Sequence, residues 1–396
     1  MSKKPLQSKN RLLGALAIAA VGSFALVPGA SAALDGGGFL VHAQNIEEKQ
    51  YEATAGMKGI SLPPGGGGGG EENPSPAEPG EAELYTVPDG NWTGATYGAG
   101  KYVAVSTGGA HRTMSSADGK TWTASDDAPE GGWLSVAYGG GRYVAVSNDG
   151  RIMSSTDGAS WTEQSSNLSS FTYVAYGNGV FVAGGAGARG VAPLIYSQDG
   201  INWSNAALPP EIVTAYSSNS IVEVYFFGDK LVAATGLVST AEGNISSALI
   251  ESSDGANWKL SAQQIPGFSL EKSAVGWMAS GAISEGSTVI RNSMALGATD
   301  GTEPSYFAST GGGSWSPLSA TGLPAYSSLL GSTGDRLIAS SIDWSVGKVA
   351  LYGSSDGGVS WSEVAGEKAP GMLSKSATDG SCMVAPMVNG VLRLCN

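Results

Sequence analysis

Histidine and cysteine are almost missing from this 396-residue chain, which has two of each. His42 precedes the repeated part of the chain, and His111 stands alone within it. A zinc centre built on clustered histidines is therefore excluded. A Ser-His-Asp triad would rest on His111 alone, which reads instead as a surface-loop residue beside Arg112. Charge is scarce too, at 14% of residues, and cations are the scarcer sign: 21 Lys and Arg face 34 Asp and Glu, a formal net charge of −13. Phosphate backbones are held by clustered Lys and Arg, so no nucleic acid is expected as a partner. The same deficit argues against docking on an anionic membrane surface. No glycine-rich segment follows a strand and opens a helix, so a nucleotide-binding fingerprint is absent. The sequence calls for no cofactor and no metal.

Long apolar runs are also missing, with one exception. Leu12 to Val27 follows Lys3, Lys4, Lys9 and Arg11 and leads into Ala30-Ser31-Ala32. That order of positive, apolar and small residues predicts a secretory signal over 1–32. The run is short for a membrane span and ends at Pro28-Gly29. No cysteine lies near the cleavage point to carry a lipid anchor. Residues 33–82 hold the unbroken run Gly65–Gly70 and the Pro- and Glu-rich stretch after it, without an apolar period. A flexible linker is expected there. The globular part is then 83–396, secreted, periplasmic or at the cell surface after cleavage, with no transmembrane segment remaining.

Glycine, by contrast, is abundant at 60 residues, and Ser, Thr and Asn recur throughout. That composition suits short strands joined by many turns. From Trp92 onward the chain repeats itself. Ala95-Thr-Tyr-Gly-Ala-Gly-Lys-Tyr-Val-Ala-Val-Ser106 returns as Val136-Ala-Tyr-Gly-Gly-Gly-Arg-Tyr-Val-Ala-Val-Ser147 and as Val174-Ala-Tyr-Gly-Asn-Gly-Val-Phe-Val-Ala183. Weaker copies run through Phe226–Ala234 and Leu330–Ala339. Each reads as strand, tight glycine turn, strand.

A second line follows the first. Ser116-Ala-Asp118-Gly-Lys-Thr-Trp122 recurs as Ser155-Thr-Asp157-Gly-Ala-Ser-Trp161, Ser197-Gln-Asp199-Gly-Ile-Asn-Trp203 and Ser253-Asp254-Gly-Ala-Asn-Trp258. Ser309–Trp315 has lost its aspartate, and Ser354-Ser-Asp356-Gly-Gly-Val-Ser-Trp361 is one residue longer. The six tryptophans are 39, 42, 55, 57 and 46 residues apart. Units of this length with four short strands each are the blades of a propeller. Six units are complete. A seventh is implied by Ser376–Pro386 and Val391–Cys395, with Leu84–Val87 supplying its fourth strand and removing a free edge. The expected fold is all-β, a seven-bladed β-propeller, with six blades as the alternative.

Ser-x-Asp-x-Gly-x-Thr-Trp is the Asp-box, or BNR repeat. Residues 354–361 resemble it in full, and the copies ending at Trp122, Trp161, Trp203 and Trp258 resemble a form shortened by one. The chain from 84 to 396 thus resembles the sialidase-like propeller superfamily, nearest in style to photosystem II assembly-factor-like bacterial propellers. The box occurs in glycosidases and in receptors alike, so the resemblance implies fold rather than activity. A structural role is expected for Asp118, Asp157, Asp199, Asp254 and Asp356: each carboxylate accepts turn amides, the glycine takes a positive φ, and the tryptophan packs between sheets. One acidic residue per turn supplies too few oxygens for calcium.

Cys382 and Cys395 flank two apolar runs joined by Asn389-Gly390, a hairpin pattern that sets the thiols opposite each other. In an exported protein a disulfide is expected between them.

In an up-and-down blade the first and third turns share one end, and here they are the glycine turns and the boxes. The second turns and the links between blades share the other, where lengths vary most: 184–192, 236–247, 297–304, 208–212 and 263–273. Ligands are expected at that end. Arg112, Arg151 and Arg189 fall there, near the starts of third strands, and three guanidinium groups could grip a carboxylate or phosphate. Solvated strand-end arginines are the alternative. Asp343-Trp344 also lies near a second turn and suits a sugar or peptide contact, with core packing as its alternative. A sialidase further needs a tyrosine nucleophile with its glutamate and an acid/base aspartate; no such pair stands out, and the Arg-Ile-Pro opening is absent. No catalytic residue is assigned. The expected role is a non-catalytic binding or scaffolding module for a protein or carbohydrate at or outside the cell surface, and the alternative is a diverged sialidase-like glycoside hydrolase.

Overall fold

The computed structural model describes residues 82–395 with gaps, the longest at 187–193, 211–220, 262–276 and 296–304, and only the backbone of the strands between 277 and 318. The expected signal (1–32) and nearly all of the expected linker (33–82) lie outside the described residues, as do Arg189 and Trp344.

Four strands in chain order make the repeating unit. β1 (Ala82–Gly98), β2 (Lys101–Ser106), β3 (Thr113–Ser116) and β4 (Thr123–Ser125) are the first. β5 (Trp133–Gly139), β6 (Arg142–Ser147), β7 (Ile152–Ser155) and β8 (Thr162–Gln164) follow, then β9 (Ser170–Gly177), β10 (Val180–Ala186), β11 (Leu194–Ser197) and β12 (Ser204–Asn205). The next sheet joins β13 (Ile221–Phe227) and β14 (Lys230–Thr235) to β17 (Leu249–Ser252) and β18 (Lys259–Leu260). Between β14 and β17 sits a two-stranded ribbon, β15 (Val238–Ser239) and β16 (Ile245–Ser246). β19 (Trp277–Ile283), β20 (Thr288–Ala295), β21 (Ser305–Thr310) and β22 (Ser316–Leu318) form another sheet. In the next, β27 (Ala369–Pro370) is added at β25 to β23 (Ser328–Thr333), β24 (Arg336–Asp343), β25 (Lys348–Ser354) and β26 (Ser362–Glu363). Last come β28 (Ala377–Thr378) and β29 (Cys382–Cys395).

The first strands of successive sheets lie side by side: β1 with β5, β5 with β9, β9 with β13, and β19 with β23; β23 in turn lies beside β29 of the six-stranded sheet. Antiparallel four-stranded sheets fanned about their first strands make a β-propeller. The blade count departs from the expectation of seven, or six. Five sheets of four or five strands stand as separate blades, and the sixth has six strands in the order β28-β29-β1-β2-β3-β4. The cause lies in β1, which runs unbroken for 17 residues. Its start pairs with β29 (Leu84 opposite Leu392) and its end with β2 (Tyr97 opposite Tyr102). The Pro88-Asp89-Gly90 stretch is absorbed as a register shift between Thr86 and Asn91 instead of ending the strand.

The second strands read as continuous apolar runs because both of their faces are covered. Tyr102 and Ala104 face a core with Trp92, Trp122, Val384 and Val391, whereas Val103 and Val105 face one with Trp133, Tyr143 and Trp161. One blade on, Tyr143 and Ala145 share that second core, and Val144 and Val146 face Phe171 and Phe181 in a third. Each of these two sheets is thus the filling between apolar cores on both of its faces. Trp92 and Trp133 are completely buried, and their indole N–H groups donate to the Pro88 and Pro129 carbonyls at 2.9 and 2.8 Å. Truncating either to alanine costs roughly 3–5 kcal/mol.

The tyrosines before the glycine turns interlock the blades. Gly98 lies against the Tyr138 ring of the next sheet, Gly139 against Tyr176, and Gly177 against Phe226, each so closely that a Cβ would overlap ring carbons. Tyr138 and Tyr176 in turn stack tilted on Tyr143 and Phe181, with centroids 4.6 Å apart in both pairs.

Candidate functional site

The Ser-x-Asp-Gly turns repeat one geometry. Ser116 Oγ donates to Asp118 Oδ1 (2.9 Å), which also accepts the Lys120 and Thr121 amides at 2.8 Å, while the Gly119 amide donates back to Ser116 Oγ. Asp157, Asp199 and Asp254 repeat the arrangement with Ser155, Ser197 and Ser252. The serine partner of Asp254 is therefore Ser252 rather than Ser253. In the longer copy Asp356 accepts the Val359 and Ser360 amides and the Ser354 hydroxyl. Donors that converge on the ionised form hold it ionised. All five carboxyls accordingly sit below the usual aspartate range. The Asn257 amide and side chain bring Asp254 to about 2, and the Ser360 hydroxyl and amide bring Asp356 to about 2. At Asp118 partial burial pushes upward, but the Thr121 and Lys120 amides outweigh it. These aspartates spend their lone pairs on their own turns.

At the opposite end, Arg112 and Arg151 do come together, on one residue. Arg112 Nη2 donates to Glu130 Oε2 at 2.6 Å and Nη1 to the Gly109 carbonyl; Arg151 Nη1 donates to the Glu130 carbonyl, also at 2.6 Å. Arg151 Nε further meets Asp149 (3.2 Å) and Glu163 (3.9 Å). His111 Nδ1 is 3.0 Å from Asp126 Oδ1. The side chains of Asp126 and Glu130 are 88% and 85% exposed, so the link between β4 and β5 stands out as a polar knob held by three basic side chains from below. Asp343 ends β24 opposite Lys348, and Trp344 follows outside the described residues. The Gly236–Ser247 insertion contains the β15–β16 ribbon.

Lys375 had no sequence signal: it lies in Ser374-Lys375-Ser376, outside every repeat. Its carbonyl accepts the Ala95 amide of β1, its Nζ donates to Ser135 Oγ of β5 (3.2 Å), and its ammonium lies over the Tyr173 ring of β9. One lysine thus links the first strands of three successive sheets.

Cys382 and Cys395 are disulfide-bonded, with Cα atoms 4.1 Å apart across 13 residues, so β29 doubles back at Asn389, whose φ is +54°. Arg393 touches this bridge: Nη2 is 3.0 Å from Cys382 Sγ, Nη1 pairs with Glu83 (3.2 Å), and Nε donates to the Asp118 carbonyl (3.1 Å). Among the described residues no group of His, Cys, Asp and Glu is arranged to hold a metal, and no helix is long and apolar enough to cross a membrane.

The fold defines the chain as a β-propeller, and solved structures agree. YCF48 bound to D1 peptide is 15% identical over 81% of this chain and 98% of its own, with a TM-score of 0.51. A catalytically inactive virginiamycin B lyase from Staphylococcus aureus with quinupristin is 12% identical over 80% of this chain and 100% of its own (TM-score 0.55). The GH74 xyloglucanase from Xanthomonas campestris is 15% identical over 78% of this chain and 53% of its own (TM-score 0.51). No family model matches the chain, and no curated protein does. At such identities the likeness is one of fold alone.

Proposed function

We propose that the chain is an exported, non-catalytic propeller of the Asp-box type that binds a protein or glycan at the rim opposite its aspartate turns. The observation that carries this reading is the double clamp on Glu130. A sialidase-like site needs guanidinium groups open to a substrate carboxylate; here Arg112 and Arg151 are turned onto one residue of the same chain, Glu130, and fix it as a surface feature. The exposed Glu130 and Asp126 then offer polar contacts on a preorganised rim. One structural neighbour, YCF48, is described bound to a peptide, which fits a binding role for this architecture. Peptide and glycan arrays probed with residues 83–396, beside a sialoside and polysaccharide hydrolysis screen, test the proposal. Binding weakened by Arg151→Ala without turnover supports it. Hydrolysis abolished by Arg112→Ala or Arg151→Ala would replace it with the glycoside hydrolase.

A further inference from the structure

Arg393 is placed where a simple structural staple would not need a cation. Its side chain is 16% exposed, and two of its nitrogens are fixed by Glu83 and the Asp118 carbonyl, which leaves Nη2 aimed at Cys382 Sγ. A disulfide sulfur is a weak acceptor, whereas a thiolate is a strong one. The contact therefore strengthens when the S–S bond breaks with its electron pair on Cys382. The two cysteines are also unequal. Cys382 is buried and its peptide is held on both sides: its N–H donates to Asp379 Oδ1 (2.7 Å), and its carbonyl accepts the Tyr102 hydroxyl and the Asp379 amide, both at 3.1 Å. Cys395 is the more exposed.

We propose that Cys382–Cys395 is a thiol–disulfide exchange site, opened by an external dithiol that attacks Cys395 while Cys382 leaves as a thiolate paired with Arg393. In the first step the incoming thiolate forms a mixed disulfide with Cys395 Sγ, the Cys382–Cys395 bond breaks, and its electron pair goes to Cys382. In the second step the other thiol of the reductant, deprotonated by solvent, attacks its own sulfur in the mixed disulfide. Cys395 is expelled as a thiolate and takes a proton from water; the dithiol ends as a disulfide, oxidised by two electrons. The leaving thiol's pKa helps set the rate of such an exchange, and a fixed guanidinium lowers that pKa and speeds departure. Glu83, on β1, opposes Arg393 and is itself offset by Tyr85 and Lys120, while the Asp379 carboxylate faces Cys382 from its amide side. The outcome is a cross-link on the β1–β29 seam that a dithiol can open while the Ala82–Leu394 ladder stays paired.

Dithiothreitol is the probe, added to the oxidised full chain under native conditions, with adducts trapped by acid and located by mass spectrometry. The expected first adduct is on Cys395, and Arg393→Gln slows opening by about threefold or more, with Arg393→Lys in between. A purely structural arginine predicts the reverse, because loosening the seam would speed reduction. Were Arg393→Gln not to fold, the pH dependence of alkylation in Cys395→Ser decides: Cys382 should react with a midpoint below that of an ordinary thiol. An adduct on Cys382, an unchanged or faster rate in Arg393→Gln, or a normal midpoint in Cys395→Ser would overturn the proposal.

Discussion

Gly139→Ala is the sharpest test of how the blades interlock. The residue lies in β5 and is not among the described glycines of positive φ, so alanine meets no backbone penalty there. It meets the next sheet instead. A Cβ at Gly139 would stand 2.0 to 2.4 Å from Cγ, Cδ1 and Cδ2 of Tyr176, far inside van der Waals contact. The ring cannot simply swing aside, because it stacks on Phe181, which is buried. Overpacking of this kind costs about 1–3 kcal/mol, and the overlap with three ring atoms points to the upper end. The control is Tyr176→Ala, which removes the obstacle and costs about 2–4 kcal/mol by itself, the ring being half-buried. In that background Gly139→Ala should cost less than about 1 kcal/mol, a coupling of roughly 2 kcal/mol between the sites. Urea denaturation of the four chains measures it. Additive losses would mean that the Gly–Tyr contact does not hold these sheets together, and the interlocking would be refuted.

Acid should unfold the propeller through its aspartate turns. The carboxyls of Asp118, Asp157, Asp199, Asp254 and Asp356 all titrate lower in the folded chain than the usual 3.8. Their contribution is therefore complete above about pH 4 and is lost as pH falls through the folded values, about 2 for Asp254 and Asp356. Asp254 is mostly exposed, so its share is only about 0.5–1 kcal/mol after screening. Asp254→Asn should flatten the fall in melting temperature between pH 4 and pH 2; an unchanged slope would count against the turn's electrostatics. Lys375→Met keeps the stem but loses the bond to Ser135, and should lower stability by about 1–2 kcal/mol in urea. An unchanged midpoint would remove Lys375 from the links between sheets.

Much of this architecture is legible from the chain because its determinants are local. Each Ser-x-Asp-Gly-x-x-Trp run carries all the donors and acceptors its turn needs within six residues, so reading one copy reads its geometry. The glycine turn before each second strand is equally self-contained, and the Asn389-Gly390 hairpin brings Cys382 to Cys395 as its pattern requires. Sequence periodicity failed at one boundary. Leu84–Val87 and the strand before the first glycine turn read as parts of different blades, yet they form a single β1 that passes from β29 to β2 across a register shift, and five sheets of four or five strands stand beside one of six. The spacing of the units places Arg112 and Arg151 near the starts of third strands, but their acceptor has no signal in the sequence, because Glu130 belongs to the link between the two units and has no repeat to announce it.

The sequence by itself determined the repeating unit: four short strands, a glycine turn, an aspartate turn and a buried tryptophan, each fixed by neighbours a few residues away. The tertiary structure decided what those units leave between them. Ser135 meets Lys375 across 240 residues and Glu83 meets Arg393 across 310. No local rule joins such positions. They become neighbours only when apolar faces of successive sheets, both of which must be covered, bring the end of the chain back to its first strand.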